Sequence, residues 1–274
     1  MTPAERALAH VAARSAGPPL DRALRVTLHF HPERVVPGLV ETGAYASQFV
    51  TGTGNGGLTA FPGGDRWRWE SRMFGGAYDD APAHERPVYG GLDIRRSPYG
   101  ASPRFGSSHL RLRPEVLERT TFCYPDSVEE PELFGVADRM SLVEVALADD
   151  RDALDDYVEA HVHGRVAVAA DVEALVLDPS YRGTPVEAAA RRLPCAVEWH
   201  PGFRLHVDEL RRHPDYRGPR FTALGEEVAV EGWLTPEVIG SRAGDYEAQD
   251  LKRVWHLLAR FGRVADDGPG GVDR

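Results

Sequence analysis

The chain has 274 residues, 42% of them apolar, enough for one large domain or two modest ones with a proper core. A net charge of −10, with Lys252 as the only lysine, argues against a generic nucleic-acid binder, whose affinity would rest on neutralising phosphates. Two cysteines set no disulfide framework, no run of about 18 apolar residues occurs, and the first residues lack the apolar core of a secretion signal, so a soluble cytoplasmic protein is expected.

Residues 3–15 read as a helix, with Thr2 placed to cap it and Pro3 in its first turn. Residues 23–31 alternate and read as a strand ending at Pro32. Residues 51–79, dense in glycine and aromatics, read as ordered loops and short strands around a site. Strands are expected at 87–95 and 105–113, followed by the TTFCYP run and a helical segment at 136–149. A strand then covers the DDYVEAHVHG stretch, and a second reaches from 166 to Pro179. Thr184-Pro185, with Glu187 at the third helical position, signals a helix over 184–193. A short strand at 195–200 precedes a mostly helical region, clearest at 247–262, and a frayed tail. The order is α+β, with antiparallel-looking strands packed on helices and no βαβαβ rhythm. Residues 1–200 are expected to form the α+β catalytic part and 201–274 a mostly helical extension packed on it, the alternative being one single domain.

Within DDYVEAHVHG, strand periodicity puts Tyr157, Glu159, His161 and His163 on one face and Val158, Ala160 and Val162 on the other. A carboxylate at mid-strand is costly to bury without partners, which makes Glu159 a functional candidate; the bland alternative is an ion pair with one of the arginines. His29 and His31 form a second H-x-H pair. Such pairs occur in zinc hydrolases, where the metal turns water into a nucleophile, but each pair is also explained as the polar face of one strand. In FGSSHLRLR, Ser107, His109, Arg111 and Arg113 share one face, and Ser108, Leu110 and Leu112 the other. Arg22, Arg25 and Arg34 flank the first strand, and arginine suits bidentate contact with phosphate. The 51–79 segment offers Thr51, Thr53, Asn55 and glycines for an anion, and Trp67, Trp69 and Phe74 as flat surfaces for a ring. No GxSxG elbow, GxGxxG fingerprint or Walker string is present, and Cys123 lies in a run that reads as buried.

The blocks VTLHFHPER, YASQFVTGTGNGG, GGDRWRWESRMFGGAYDDAP, RFGSSHLRLRPEVLERTTFCYPDS and DYVEAHVHGRVAVAADVEALVLDPSYRGTP resemble a bacterial family, common in actinobacteria, known as a domain of unknown function. More distantly, the order of an early His/Arg strand, a Ser-bearing middle strand and a late strand with an isolated Glu is similar to the ADP-ribosyltransferase superfamily. That resemblance implies split antiparallel sheets around a cleft that holds NAD as substrate, with no metal. It implies Glu159 as the late-strand catalytic Glu, His31 as the first-strand residue with His29 and Arg34 competing, and Ser107 or Ser108 as the middle-strand Ser. Arg34, Arg111, Ser108, Tyr157, Trp69 and Phe74 would then contact NAD, and the acceptor would be a protein or small molecule. Tyr157 stands where that superfamily carries Glu or Gln, and Gly54 where it carries Ser, so the acceptor type stays open. The rivals are a metal-dependent hydrolase using His29, His31, His161 and His163, a metal-independent ribonuclease of toxin type, and an inactive binding domain.

Overall fold

The structure is a computed structural model that describes residues 1–52 and 59–264. Its strands are β1 (Val26–Phe30), β2 (Ala44–Tyr45), β3 (Val88–Leu92), β4 (Ser108–Leu112), β5 (Thr120–Tyr124), β6 (Leu133–Val136), β7 (Val158–Val162), β8 (Val166–Ala167), β9 (Val172–Leu177), β10 (Ala196–Trp199), β11 (Leu205–His206) and β12 (Trp233–Leu234). Eight of them form one sheet in the order β10-β9-β4-β1-β3-β7-β5-β6, and β2 with β8 and β11 with β12 make two small ribbons. All neighbours in the large sheet run antiparallel except β9 and β10, which are parallel. The fold is therefore α+β, as the element order implied. The expected split does not occur in this sheet: β1 pairs with β4 on one side and β3 on the other, so hydrogen bonding is continuous through its centre.

The alternation in β7 decides how the layers form. Val158, Ala160 and Val162 point into the main core, with Leu28, Leu110, Phe122 and Leu175 from neighbouring strands. Glu159 and His161 point to the opposite face, yet they are as buried as the valines, at 4% and 0% exposure. That face is covered by Met73, Phe74 and Tyr78 together with Ala7 and Val11 of the helix Pro3–Arg14. This helix starts where its sequence says it should. Glu5 N donates to Thr2 Oγ1 at 3.2 Å and Thr2 N donates to Glu5 Oε2 at 2.8 Å, a reciprocal cap that contributes about 1 kcal/mol.

A third cluster, made of Phe203, Leu210, Leu234, Val254, Trp255, Leu258 and others, anchors residues 203–261 to the sheet layer through Tyr99 and Leu154. Trp255 Nε1 donates to Pro103 O at 2.9 Å, which ties the helix Ala248–Phe261 to the segment leading into β4. Among the described residues, no helix is long and apolar enough to cross a membrane.

Three local expectations change. Residues 65–73 form a helix, Asp65–Met73, rather than loops and short strands. Its buried Glu70 and Met73 lie three apart, a helical spacing that the density of aromatics and glycines hides. The strand expected over 166–179 is interrupted by a helical turn, Val168–Asp171, where Asp171 Oδ2 accepts from Ala167 N at 2.7 Å. The helix expected over 136–149 is shorter, Leu142–Ala148, because Leu133–Val136 pairs with β5 as the sheet edge.

Candidate active site

On the Glu159 face the structure encloses a cleft of about 600 Å³. β1, β3 and β7 form its floor through His29, Tyr89, Gly90 and Glu159. The helices Pro32–Thr42 and Asp65–Met73 supply Arg34, Arg66 and Trp69, and His31 lines it just before the first of these. Ser102 and Asp126 come from loops, Arg104 and Phe105 from the short helical turn Pro103–Phe105, and Ala248–Phe261 closes a wall with Leu251 and Lys252.

Gly91 pairs with Glu159 across β3 and β7 and has no side chain for a steric reason. A Cβ there would lie 2.8 Å from Ala101 Cβ, so glycine lets the 101–102 segment rest on the sheet beside Glu159. His29 holds the same segment. Its Nε2 accepts from Ser102 N at 3.2 Å, so its proton sits on Nδ1 and is donated to Gly106 O, also at 3.2 Å. Burial, against that hydrogen bond, drives the His29 pKa down to about 3, and the ring stays neutral.

Glu159 is pushed up by burial, but the hydrogen bond and charge of His161 and the nearby Arg66 outweigh this and leave its pKa below the ordinary carboxylate value. His161 Nε2 lies 2.8 Å from Glu159 Oε1. Asp126, in the same cleft, moves the other way: burial and then the negative Glu159 raise its pKa. The Tyr157 hydroxyl donates to Asp126 Oδ2, and Val128 N donates to Oδ1 at 2.9 Å. The cleft thus holds one carboxyl group with a lowered pKa and a second with a raised one, a separation that suits two acids to different roles. Arg66 lies over the Tyr89 ring at 4.4 Å and over the Trp69 ring at 5.3 Å. Burial first, then Arg104 and Arg253, lowers the Lys252 pKa to about 8.

Of the residues singled out from sequence, Glu159, His29, His31, Arg34, Thr51 and Trp69 line this cleft. Tyr157 reaches it indirectly, through Asp126. Phe74 covers the same face of the sheet beside the cleft without lining it, edge-on to His161 and His163 at 5.3 and 5.2 Å. Ser107, Ser108 and Arg111 are elsewhere. Ser107 is buried with its carbonyl 2.7 Å from His200 Nε2, and Ser108 Oγ accepts from Asp178 N at 3.2 Å. Arg111 sits in a surface ion-pair cluster with Glu173 and Glu198. Thr53, Gly54 and Asn55 lie outside the described residues. Sequence reasoning did not single out Arg66, Tyr89, Ser102, Arg104 or Asp126, which come from separate helices, loops and a strand and share no local pattern.

The two H-x-H pairs do not converge. His29 stacks on His109 at 5.0 Å, His31 meets Trp255 edge-on at 5.4 Å, and His163 bonds to Tyr78. Among the described residues, the three donors that come within 4.8 Å of one another are those of Cys123, Glu159 and His161. As they stand, Glu159 and His161 are hydrogen-bonded to each other at 2.8 Å.

No curated protein matches the chain. One family does, twice, over residues 25–151 and 141–261, so that the matches run from just before β1 to the end of the last helix. The chain belongs to the family described as Protein of unknown function (DUF3626).

Proposed function

We propose that this protein is a cytoplasmic enzyme that cleaves the bond between nicotinamide and ribose in NAD and passes ADP-ribose to a protein, a small molecule or water. The observation that carries this is an ionised, 4% exposed Glu159 on the floor of a cleft of about 600 Å³, within the range that holds small ligands. Glycosidic cleavage develops positive charge on the ribose, and a fixed carboxylate in a water-poor site opposes that charge chiefly in the transition state. Nicotinamide leaves as a neutral base and needs no acid to protonate it. One ionised carboxylate is therefore enough for the first half of the reaction, which leaves Asp126 to take the proton of the acceptor. Arg66 with Trp69 and Tyr89 supplies a stacking surface, Arg34, Arg104 and Lys252 suit the pyrophosphate, and His31 suits a ribose hydroxyl.

The arrangement supports an ADP-ribosyltransferase-like cleft built on one continuous sheet in place of split sheets, with residues 1–200 carrying the chemistry. Residues 201–274 then act as more than a cap, because Ile239, Leu251 and Lys252 line the cleft. Thermal unfolding of the purified chain with added NAD tests binding. A saturable rise in melting temperature, worth about 2.7 kcal/mol at a hundredfold excess over Kd, is expected. A melting temperature unmoved by millimolar NAD contradicts the proposal.

A further inference from the structure

We propose that Thr121 and His163, which do not line the cleft, are positioning residues that set the proton His161 presents to Glu159. This deepens the reading of Glu159 as the catalytic carboxylate and rests on it. Five side chains form one hydrogen-bonded chain: Tyr78 OH to His163 Nδ1 at 2.7 Å, His163 Nε2 to Thr121 Oγ1 at 2.9 Å, Thr121 Oγ1 to His161 Nδ1 at 3.2 Å, and His161 Nε2 to Glu159 Oε1 at 2.8 Å. Tyr78, Thr121 and His161 are fully buried, and His163 and Glu159 are 1% and 4% exposed.

The order of donors in this chain is constrained. Thr121 has one hydroxyl proton, so it donates to one imidazole and must accept from the other. Ionised Glu159 can only accept, so His161 carries a proton on Nε2. If His161 is neutral, its Nδ1 accepts from Thr121, Thr121 accepts from His163 Nε2–H, and His163 Nδ1 accepts from Tyr78. If His161 is an imidazolium, which adds one proton taken from solvent, the three upstream bonds reverse and His163 must carry its proton on Nδ1. Burial lowers the His163 pKa to about 3, so near neutral pH His163 has a single ring proton to place. The charge on His161 and the tautomer of His163 are therefore locked together through one hydroxyl.

Other groups face this chain from every packed element. Cys123 Sγ lies 3.9 Å from both Glu159 Oε1 and His161 Nε2, and the Tyr89 ring meets His161 edge-on at 5.1 Å. Arg66 and Asp126 act on Glu159 from the cleft, and Arg119 Nη1 donates to His163 O at 2.6 Å. Phe74 packs against both histidines, and none of these groups supplies a second partner to His161 Nδ1 or His163 Nε2 among the described hydrogen bonds.

Without the Thr121 hydroxyl, only the charge on Glu159 holds the His161 proton on Nε2, and the tautomer with its proton on Nδ1, which turns a bare Nε2 lone pair toward Glu159, is easier to populate. That raises the Glu159 pKa and weakens the ionised form the reaction uses. The test is long-range nitrogen–proton NMR of the imidazoles in the full-length chain, for wild type, Thr121→Val and Thr121→Ser. Wild type and Thr121→Ser are expected to show matched pairs only: neutral His161 with Nε2–H on His163, or imidazolium His161 with Nδ1–H on His163. Thr121→Val is expected to break the match. An unmatched pair in wild type, or a His163 tautomer indifferent to Thr121→Val, overturns the proposal. In turnover of NAD, Thr121→Val is expected to lose about tenfold at pH 6 and to recover as pH rises, with Thr121→Ser near wild type. An equal loss at every pH marks a merely structural residue and overturns the positioning role. If wild type itself fails to cleave NAD, the assignment of the reaction fails, while the NMR result still decides whether the histidines are coupled.

Discussion

His29 and His109 face each other across β1 and β4, ring centroids 5.0 Å apart, and neither lies with His161. Both are buried and both are held neutral: burial lowers the His29 pKa to about 3 and takes His109 well below its ordinary value. Of the histidines that suggest a metal centre in the sequence, His29 and His163 are buried rings held neutral by burial.

A stability prediction follows directly. His29, His163 and His256 have folded pKa values of about 3, about 3 and about 2, below the about 6.5 of an unfolded chain. Below pH 6.5 the unfolded state binds protons that the folded state refuses, so their contribution is complete above 6.5 and is lost as pH falls toward 3. Glu70, raised to about 7 by burial despite Arg86, works in the opposite sense between about 4.5 and 7, as do Asp93 and Asp126, which burial also raises, while His31, His109 and His200, lowered by burial, add to the histidine side. The melting temperature is expected to fall steadily from pH 6.5 to pH 5, with each histidine costing up to about 1.4 kcal/mol per pH unit. A flat profile over that range in calorimetry counters this assignment.

The Glu70–Arg86 pair should be a stability hot spot. Arg86 Nη1 lies 2.6 Å from Glu70 Oε2, with 5% and 0% exposure, and Tyr89 OH donates to Glu70 Oε1 at 3.0 Å. Arg86→Ala takes the buried donor away from both Glu70 Oε2 and the Tyr78 carbonyl and is expected to cost about 3–5 kcal/mol in urea unfolding. A loss below about 1 kcal/mol, as for a surface pair, goes against the buried geometry.

Much of the framework was legible in the sequence. The period-2 alternation of 158–162 picked out Glu159, and Thr2, Pro3 and Glu5 announced the first helix, because both signals are local. The cleft was less legible. Trp69 stands out in the sequence but its helix does not, and Asp126, Arg66 and Arg104 join Glu159 in one cleft only through the tertiary fold. Arg111 looked like a phosphate ligand because arginine on an alternating strand looks the same whether it meets a ligand or, as here, Glu173 and Glu198.

That difference can be measured with NAD. Arg111→Ala is expected to leave Kd within about twofold, while Lys252→Met weakens binding by about tenfold. Since the Lys252 pKa is lowered to about 8, its charge is present below that pH and lost above it. Affinity should therefore fall as pH rises through 8 in wild type, and less so in Lys252→Met. Isothermal titration at pH 7 and 9 checks both, and an Arg111 effect larger than the Lys252 effect moves the phosphate site out of the cleft.

The most direct test is nicotinamide release from NAD by wild type and Glu159→Gln, compared at equal melting temperature. Gln keeps the shape of the side chain and removes the charge that opposes the oxocarbenium-like ribose. Turnover by wild type and a loss of at least about a hundredfold in the variant are expected. Release by Glu159→Gln at the wild-type rate would contradict the role assigned to Glu159 and, with it, the proposed reaction.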